Sequence, residues 1–259
     1  MTASAGAGRA GLGMYPFAPI RPEFDTYWSS VHDRARWLPA RLDWTLDPPV
    51  SSVAADVVVA QTCGWPLVEH LGDLVRVVGA FEPMVPGAVG HRYRSVLVAR
   101  ASASALDDLG GARAAVNSFD SLSGWVSLVS AVPQPAARWS GPITLTGSHL
   151  ESVRALHEDR ADVASIDSVS WVHIQRFAPE LVAGVVEVGS GPLVPAPPVV
   201  AAATTTDDEL TAIRLAMTEA FHDDAARTAM AGALMGGFVP LELADYISLR
   251  ALRPGPAAG

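Results

Sequence analysis

The stretch Asn117 to Trp125, Asn-Ser-Phe-Asp-Ser-Leu-Ser-Gly-Trp, decides how the chain folds. It follows a short apolar run, Ala114 to Val116, and leads into Val126, Leu128, Val129 and Val132, whose spacing suits a helix. That pattern is a strand, a polar turn and a helix start. The first turn of a helix leaves about four N–H groups unpaired, so small hydroxyl residues there can cap it or join those groups in holding an anion. Ser121 and Ser123 are placed for either job. The plainer alternative is that Asp120 or Ser121 only caps a surface helix.

Composition narrows the chemistry. The chain has 259 residues, 49% of them hydrophobic, enough for one large domain or two lobes with real cores. A formal net charge of -9 argues against nucleic acid or an anionic membrane as partner, because phosphates reward clustered cations. All 18 cationic residues are arginine, which excludes a Schiff-base lysine and a phosphate-loop lysine. The single cysteine, Cys63, rules out an intrachain disulfide and a cysteine-rich zinc site. Met1 to Gly13 is small and Gly/Ala-rich with only Arg9 charged, so no export signal is expected there. Val50 to Ala60 is cut by Ser51, Ser52 and Asp56, and no membrane span is expected.

Along the chain, residues 1–9 read as a tail and Ala10 to Tyr15 as a first strand closed by Pro16. Pro22 opens a helix that puts Phe24, Tyr27, Trp28, Val31, Ala35 and Leu38 on one face. Strands are expected at Leu42–Leu46 and Asp56–Ala60, the latter ending in Gln61-Thr62-Cys63-Gly64-Trp65-Pro66. A buried strand that finishes in such a turn is where α/β proteins place ligand contacts. A short helix at Leu67–Leu71, strands at Val75–Ala80 and Tyr93–Ala99, and a brief helix and turn at Asp107, Asp108 and Gly110 follow. Strands at Ala114–Val116, Ile143–Thr146 and Asp162–Ile166 then alternate with helices at Leu150–His157 and Val169–Phe177. This alternation from Arg92 to Phe177 predicts a parallel sheet with right-handed crossovers. Later strands are expected at Val185–Val188 and Val199–Ala203, and helices begin at Asp207, Asp223 and Leu241, with Thr206 or Asp207 capping the first. The tail from Pro254 is Ala/Gly/Pro-rich.

Laid side by side, the strand ends resemble the substrate-binding proteins of phosphate, phosphite and phosphonate ABC transporters. The matching stretches are Met14-Tyr15-Pro16, Gln61 to Pro66, Arg92-Tyr93-Arg94-Ser95, Asn117 to Gly124, Gly147-Ser148-His149, and Arg160 to Asp167 followed by Trp171. The resemblance implies an α/β, two-lobed type II periplasmic binding fold, each lobe a mostly parallel sheet flanked by helices. Lobe one takes residues 1–92 plus 186–259 and lobe two residues 93–185, with crossings near Tyr93–Val96 and Val185–Gly191 as a hinge that closes on a small oxyanion. It also implies a Ser-Thr-Ser turn gripping a phosphonate; here the turn reads Ser121-Leu122-Ser123, one hydroxyl short, with the backbone N–H of Leu122 retained. Tyr15 and Tyr93 match aromatic ligand contacts, and Asp167 a carboxylate that receives an amino group of an aminoalkylphosphonate. By the resemblance the partners are a small anionic ligand and an ABC permease, and the location is periplasmic or extracellular, against the cytoplasm implied by the missing signal.

The candidate ligand set is Tyr15, Trp65, Tyr93, Asn117, Ser121, Leu122, Ser123, His149 and Asp167. Each has a plainer alternative: Asp167 caps the helix that follows it, Tyr15 and Tyr93 are half-buried aromatics, Trp65 and Trp171 pack in cores, and His149 starts a helix. Cys63 is a nucleophile only beside a base such as His91 or His149. Arg92 and Arg94 are candidates for positive potential at the ligand site. No catalytic residue, metal site or cofactor is assigned. The leading reading is a non-catalytic binding protein; the alternative is a cytoplasmic enzyme on the same fold, similar to chorismate-dehydratase-like proteins.

Overall fold

The computed structural model describes residues 8–47, 53–103, 111–131 and 139–252. The expectations for the first seven residues, Val132, Asp107, Asp108, Gly110 and the tail from Pro254 lie outside them. The chain divides into two compact units: Met1–Met84, Ala88–Arg92 and Pro195–Ser248 form the first, and Val85–Gly87, Tyr93–Val194 and Leu249–Gly259 the second. Two of the junctions between the units fall at Arg92–Tyr93 and Val194–Pro195. These dipeptides are strands β4 and β10 of a two-stranded ribbon, strands being numbered along the whole chain.

The first unit is built on a five-stranded sheet, β1 (Arg9–Gly11), β2 (Val57–Gln61), β11 (Pro198–Ala202), β3 (Val75–Pro83) and β12 (Met235–Pro240), in that order. Helix α1 (Arg21–Arg34) starts with Pro22 in its first turn and buries Phe24, Tyr27, Trp28 and Val31. Phe81 of β3 is the hub of the core: the rings of Phe24, Tyr27 and Phe238 lie edge-on to it at 6.0, 5.5 and 5.3 Å. Tyr27 also donates its hydroxyl proton to the Met217 carbonyl at 2.8 Å, tying α1 to α6 (Asp207–Glu219). Thr206 caps α6 in a reciprocal box with Glu209, and Asp223 caps α7 (Asp224–Gly232).

Two expectations change here. Leu42–Leu46 is a turn, because the Asp43 carboxylate accepts from Thr45 N–H at 2.9 Å and Thr45 hydroxyl at 2.6 Å, a local alternative to strand pairing. The helix expected to run from Asp223 to Leu234 stops at Gly232. Leu234 adopts φ 65° and β12 begins at Met235, in a segment whose Gly236-Gly237 pair hides its strand character.

The second unit has a five-stranded sheet in the order β7 (Ile143–Leu145), β6 (Ala114–Val116), β8 (Val163–Asp167), β5 (Ser95–Arg100), β9 (Val185–Ser190). Its helices are Leu122–Ala131, whose second half is α3 (Ser127–Ala131), α4 (His149–His157) and α5 (Ser168–Phe177). The pairs β6–β7 and β6–β8 are parallel, as strand–helix–strand crossovers dictate. The sheets are nonetheless mixed: β5 runs antiparallel to β8 and β9, and β11 antiparallel to β2 and β3. β12 is likewise antiparallel to β3, whereas β5 and β11 come shortly after a crossing between the units and so are not placed by a crossover helix of their own sheet. Val185–Ser190, expected near the second crossing, is the edge strand of this sheet. No helix among the described residues is long and apolar enough to cross a membrane.

A Cβ on Gly79 of β3 would collide with the Val239 carbonyl and stand 2.8 Å from the Phe238 ring. Gly79→Ala is therefore expected to destabilise the first unit by about 1–3 kcal/mol, read as a lowered denaturation midpoint.

Candidate functional site

Strand direction in the second unit brings five polar termini to one sheet edge. The parallel strands β6, β7 and β8 end there, leading into Asn117, Thr146–His149 and Asp167–Ser168. Because β5 is reversed, its beginning lies at the same edge: Ser95 pairs with Asp167, and Tyr93 is two residues before it. The end of β9 arrives there too, Val96 pairing with Ser190 and Gly191 N–H donating to Ser95 O at 2.9 Å. An edge where strands finish and helices begin is the usual ligand position of α/β proteins.

Three helices start at this edge, each capped by a side chain. Ser121 Oγ accepts from Gly124 N–H at 2.9 Å. Ser148 Oγ accepts from Glu151 N–H at 3.1 Å. Asp167 Oδ1 accepts from Val169 and Ser170 N–H at 2.8 and 3.0 Å. Asp167 is thus the cap of α5, its plainer role. Three positive helix ends at one edge favour a negative ligand. The first turn after Ser121 is wound wide, with both Trp125 and Val126 N–H reaching back to Ser121 O.

The hydroxyls form a chain. Ser121 Oγ lies 3.4 Å from Ser123 Oγ, which is 2.9 Å from His149 Nε2, and Ser165 Oγ donates to Ser123 O at 2.5 Å. Ser95 Oγ bonds Ser127 Oγ at 3.1 Å beneath it. His149 is half-buried as a residue, yet its Nδ1 is excluded from water, and this loss of solvation holds the imidazole pKa down at about 4. It is neutral at pH 7. Asn117 Oδ1, His149 Nδ1 and Ser168 Oγ are all buried at this edge without a hydrogen-bond partner among the described residues, an unfavourable condition unless something else supplies their bonds. Asn117 Oδ1 lies against Gly124, where a Cβ would overlap it.

The structure therefore gathers Asn117, Ser121, Leu122, Ser123, His149, Asp167 and Tyr93 on the second unit. The Leu122 side chain is 1% exposed and faces the core, so it offers only its backbone. One Arg94 N–H donates to Gly191 O at 3.0 Å, which fixes the guanidinium beside the end of β9 while leaving its charge in place. Tyr15 and Trp65 belong to the first unit, beyond the ends of β1 and β2, and are 1% and 6% exposed. Trp171 donates Nε1–H to Glu187 at 2.6 Å. Ser165, Ser168, Ser95 and Ser127 are not among the ligand candidates read from the sequence; for the first three the available signal is a position at or near a strand end, and Ser127 lies within the helix after Ser121.

The model of the family described as "ABC transporter, phosphonate, periplasmic substrate-binding protein" matches residues 60–246. The chain belongs to this family. Among solved structures, the phosphonate-transporter binding protein of Pseudomonas aeruginosa superposes with a TM-score of 0.76 at 13% identity, covering 96% of this chain and 86% of that one. PhnD1 of Prochlorococcus marinus, solved with methylphosphonate, gives 0.77 at 11% identity, covering 95% and 96%. A Xanthomonas citri protein bound to ATP gives 0.67 at 16% identity, covering 97% and 96%. These likenesses establish the periplasmic binding-protein fold for this member of the phosphonate-binding family. No curated protein matches it in sequence. The enzyme alternative finds no support in these matches.

Two outcomes follow for this family member. Ser121→Ala is expected to cost about 1 kcal/mol of stability through the lost cap, measured by chemical denaturation. The His149 pKa is lowered from 6.5 to about 4, so its unfolded form takes up a proton that the folded form refuses. Stability from this group is complete above pH 6.5 and is lost as pH falls toward 4. Melting curves between pH 7.5 and 4.5 should show that decline, and His149→Gln should flatten it.

Proposed function

We propose that the protein is a non-catalytic solute-binding protein for a small phosphorus oxyanion, serving an ABC permease. The observation that carries this is the convergence, at one sheet edge, of three capped helix starts, the Ser121–Ser123–His149 chain and three buried polar atoms that have no partner among the described residues. Helix N–H groups and hydroxyls can surround a tetrahedral oxyanion without lysine or metal, each charge-assisted bond being worth about 1.5–3 kcal/mol in a desolvated site. Relatives solved with methylphosphonate and with ATP share that phosphorus oxyanion chemistry. Ser121, Ser123, His149, Asn117 and the Leu122 N–H are assigned to the anion, Tyr93 to a flanking contact, and Asp167 to holding the α5 start in place. The lobes expected as residues 1–92 plus 186–259 and 93–185 move at one boundary, because Val185–Ser190 is the edge strand of the second unit's sheet.

A second reading as a hydrolase built on Ser123 and His149 is disfavoured. Among the described residues His149 Nδ1 has no hydrogen-bond partner, so no carboxylate of theirs orients the ring or stabilises an imidazolium.

A thermal-shift and calorimetric screen with methylphosphonate, phosphite and phosphate tests the proposal. Binding should raise the melting temperature with ligand concentration, without turnover. Ser123→Ala should weaken the best of these by about tenfold to a hundredfold. Unchanged affinity in that variant would remove the site from where it is placed.

A further inference from the structure

The two ring nitrogens of His149 have opposite surroundings. Nε2 lies 2.9 Å from Ser123 Oγ. Nδ1 is shut off from water and has no hydrogen-bond partner among the described residues. A buried N–H with no acceptor is rare in folded proteins, and both the Nδ1–H tautomer and the imidazolium would place one here. The remaining form is neutral, with the lone pair on Nδ1 and the proton on Nε2, so Nε2–H donates to Ser123 Oγ. The lowered pKa agrees with a neutral ring, and burial is its cause. Charged groups on the surrounding elements are engaged elsewhere or face solvent. Glu151 of α4 accepts from Arg154 at 3.1 Å, Asp167 at the end of β8 accepts from Val169 and Ser170 N–H, and Asp120 in the turn after β6 is exposed.

A hydroxyl that already accepts from a neighbour keeps its own proton to give. Ser123 accepts from His149, and Ser121 Oγ accepts from Gly124 N–H at 2.9 Å. The two hydroxyls are 3.4 Å apart, beyond the about 2.5–3.0 Å of a good O–H···O bond, so neither spends its proton on the other. With the opposite tautomer, Ser123 would donate to a bare Nε2 and meet an anion with its lone pairs. The framework around the pair is held from both sides. Ser165 Oγ donates to Ser123 O at 2.5 Å, and Ser152 Oγ, 2.7 Å from Thr146 Oγ1, donates to Ser148 O just before His149.

We infer that His149 is a positioning residue of the anion site: as a neutral Nε2–H donor it occupies the accepting side of Ser123 Oγ and so turns the Ser123 proton toward an accepting oxygen of the ligand. The inference rests on the oxyanion reading above and specifies that His149 serves the anion through Ser123, not as a cation.

The test uses the tightest-bound of methylphosphonate, phosphite and phosphate, by calorimetry on the intact protein, in wild type, His149→Gln, His149→Met, Ser123→Ala and the Ser123→Ala/His149→Met double variant. His149→Met, which lacks a donor, should weaken binding by about fivefold to tenfold, the worth of one net hydrogen bond, and His149→Gln, which keeps an N–H, should recover most of that loss. In the Ser123→Ala background His149→Met should cost nothing further, because the hydroxyl it orients is gone. The ratio of wild-type to His149→Gln affinity should hold constant between about pH 5.5 and 8, where a neutral ring does not titrate. Nitrogen-15 NMR of the wild-type ring, free and with ligand, should show a protonated Nε2 and a bare Nδ1, a readout that depends on no variant folding. A protonated Nδ1, a wild-type advantage that grows as pH falls, no loss in His149→Met, or the same loss with and without Ser123 overturns the inference and leaves the oxyanion reading standing. Failure of wild type to bind any of the three oxyanions overturns both.

Discussion

The reversed strand β5 is the constraint on which the second unit depends. Had it run with its neighbours, Tyr93 and Ser95 would lie at the far edge, away from Asn117, His149 and Asp167. Entering from the first unit and pairing antiparallel with β8, it sets Ser95 opposite Asp167. Every strand of the sheet then contributes a polar terminus to one place. Three of these are extended by helices whose first turns point the same way.

At that edge the turn after β6 carries much of the organisation. Ser121 spends its oxygen on Gly124 N–H, and Gly124 has no side chain, so the Asn117 amide can lie against the helix start. Ser165, from the neighbouring β8, holds the Ser123 carbonyl, and His149, from the α4 start, holds the Ser123 hydroxyl. One short turn is thereby pinned by two other elements. A site so pinned loses little entropy when a ligand arrives, since its hydroxyls are already oriented.

The electrostatics follow from what the chain lacks. Without lysine, the edge draws its positive potential from helix ends and N–H groups beside the Arg94 guanidinium, which a backbone carbonyl holds in place. These are fixed dipoles whose strength persists only where water is excluded. The depressed His149 pKa reflects the same dryness. On the opposite edge of the sheet, Arg113 grips the Asp162 carboxylate through two nitrogens, at 2.9 and 2.7 Å, and holds that carboxyl below its usual pKa. A formal charge pair thus binds the base of the sheet, while hydroxyls, helix dipoles and the Asp167 cap line its working edge.

Much of this was legible in the residues. The apolar run before Asn117, the hydroxyls after it, Pro22 ahead of an aromatic helical face, and Thr206 three residues before Glu209 are local patterns, and local hydrogen-bonding and steric rules act on them directly. The turn at Asp43–Thr45 and the strand at Met235–Pro240 were not legible. In the first a side-chain bond outcompetes strand pairing, and in the second two glycines erase the apolar alternation while Phe238 pairs with Phe81 far away in sequence. By itself, then, the sequence determined the elements, the caps and the hydroxyl-bearing turn, because each arises among residues a few positions apart. Only the tertiary structure decided strand direction and the meeting of Ser123 with His149 and Ser165, because these depend on chain segments tens of residues apart being packed together.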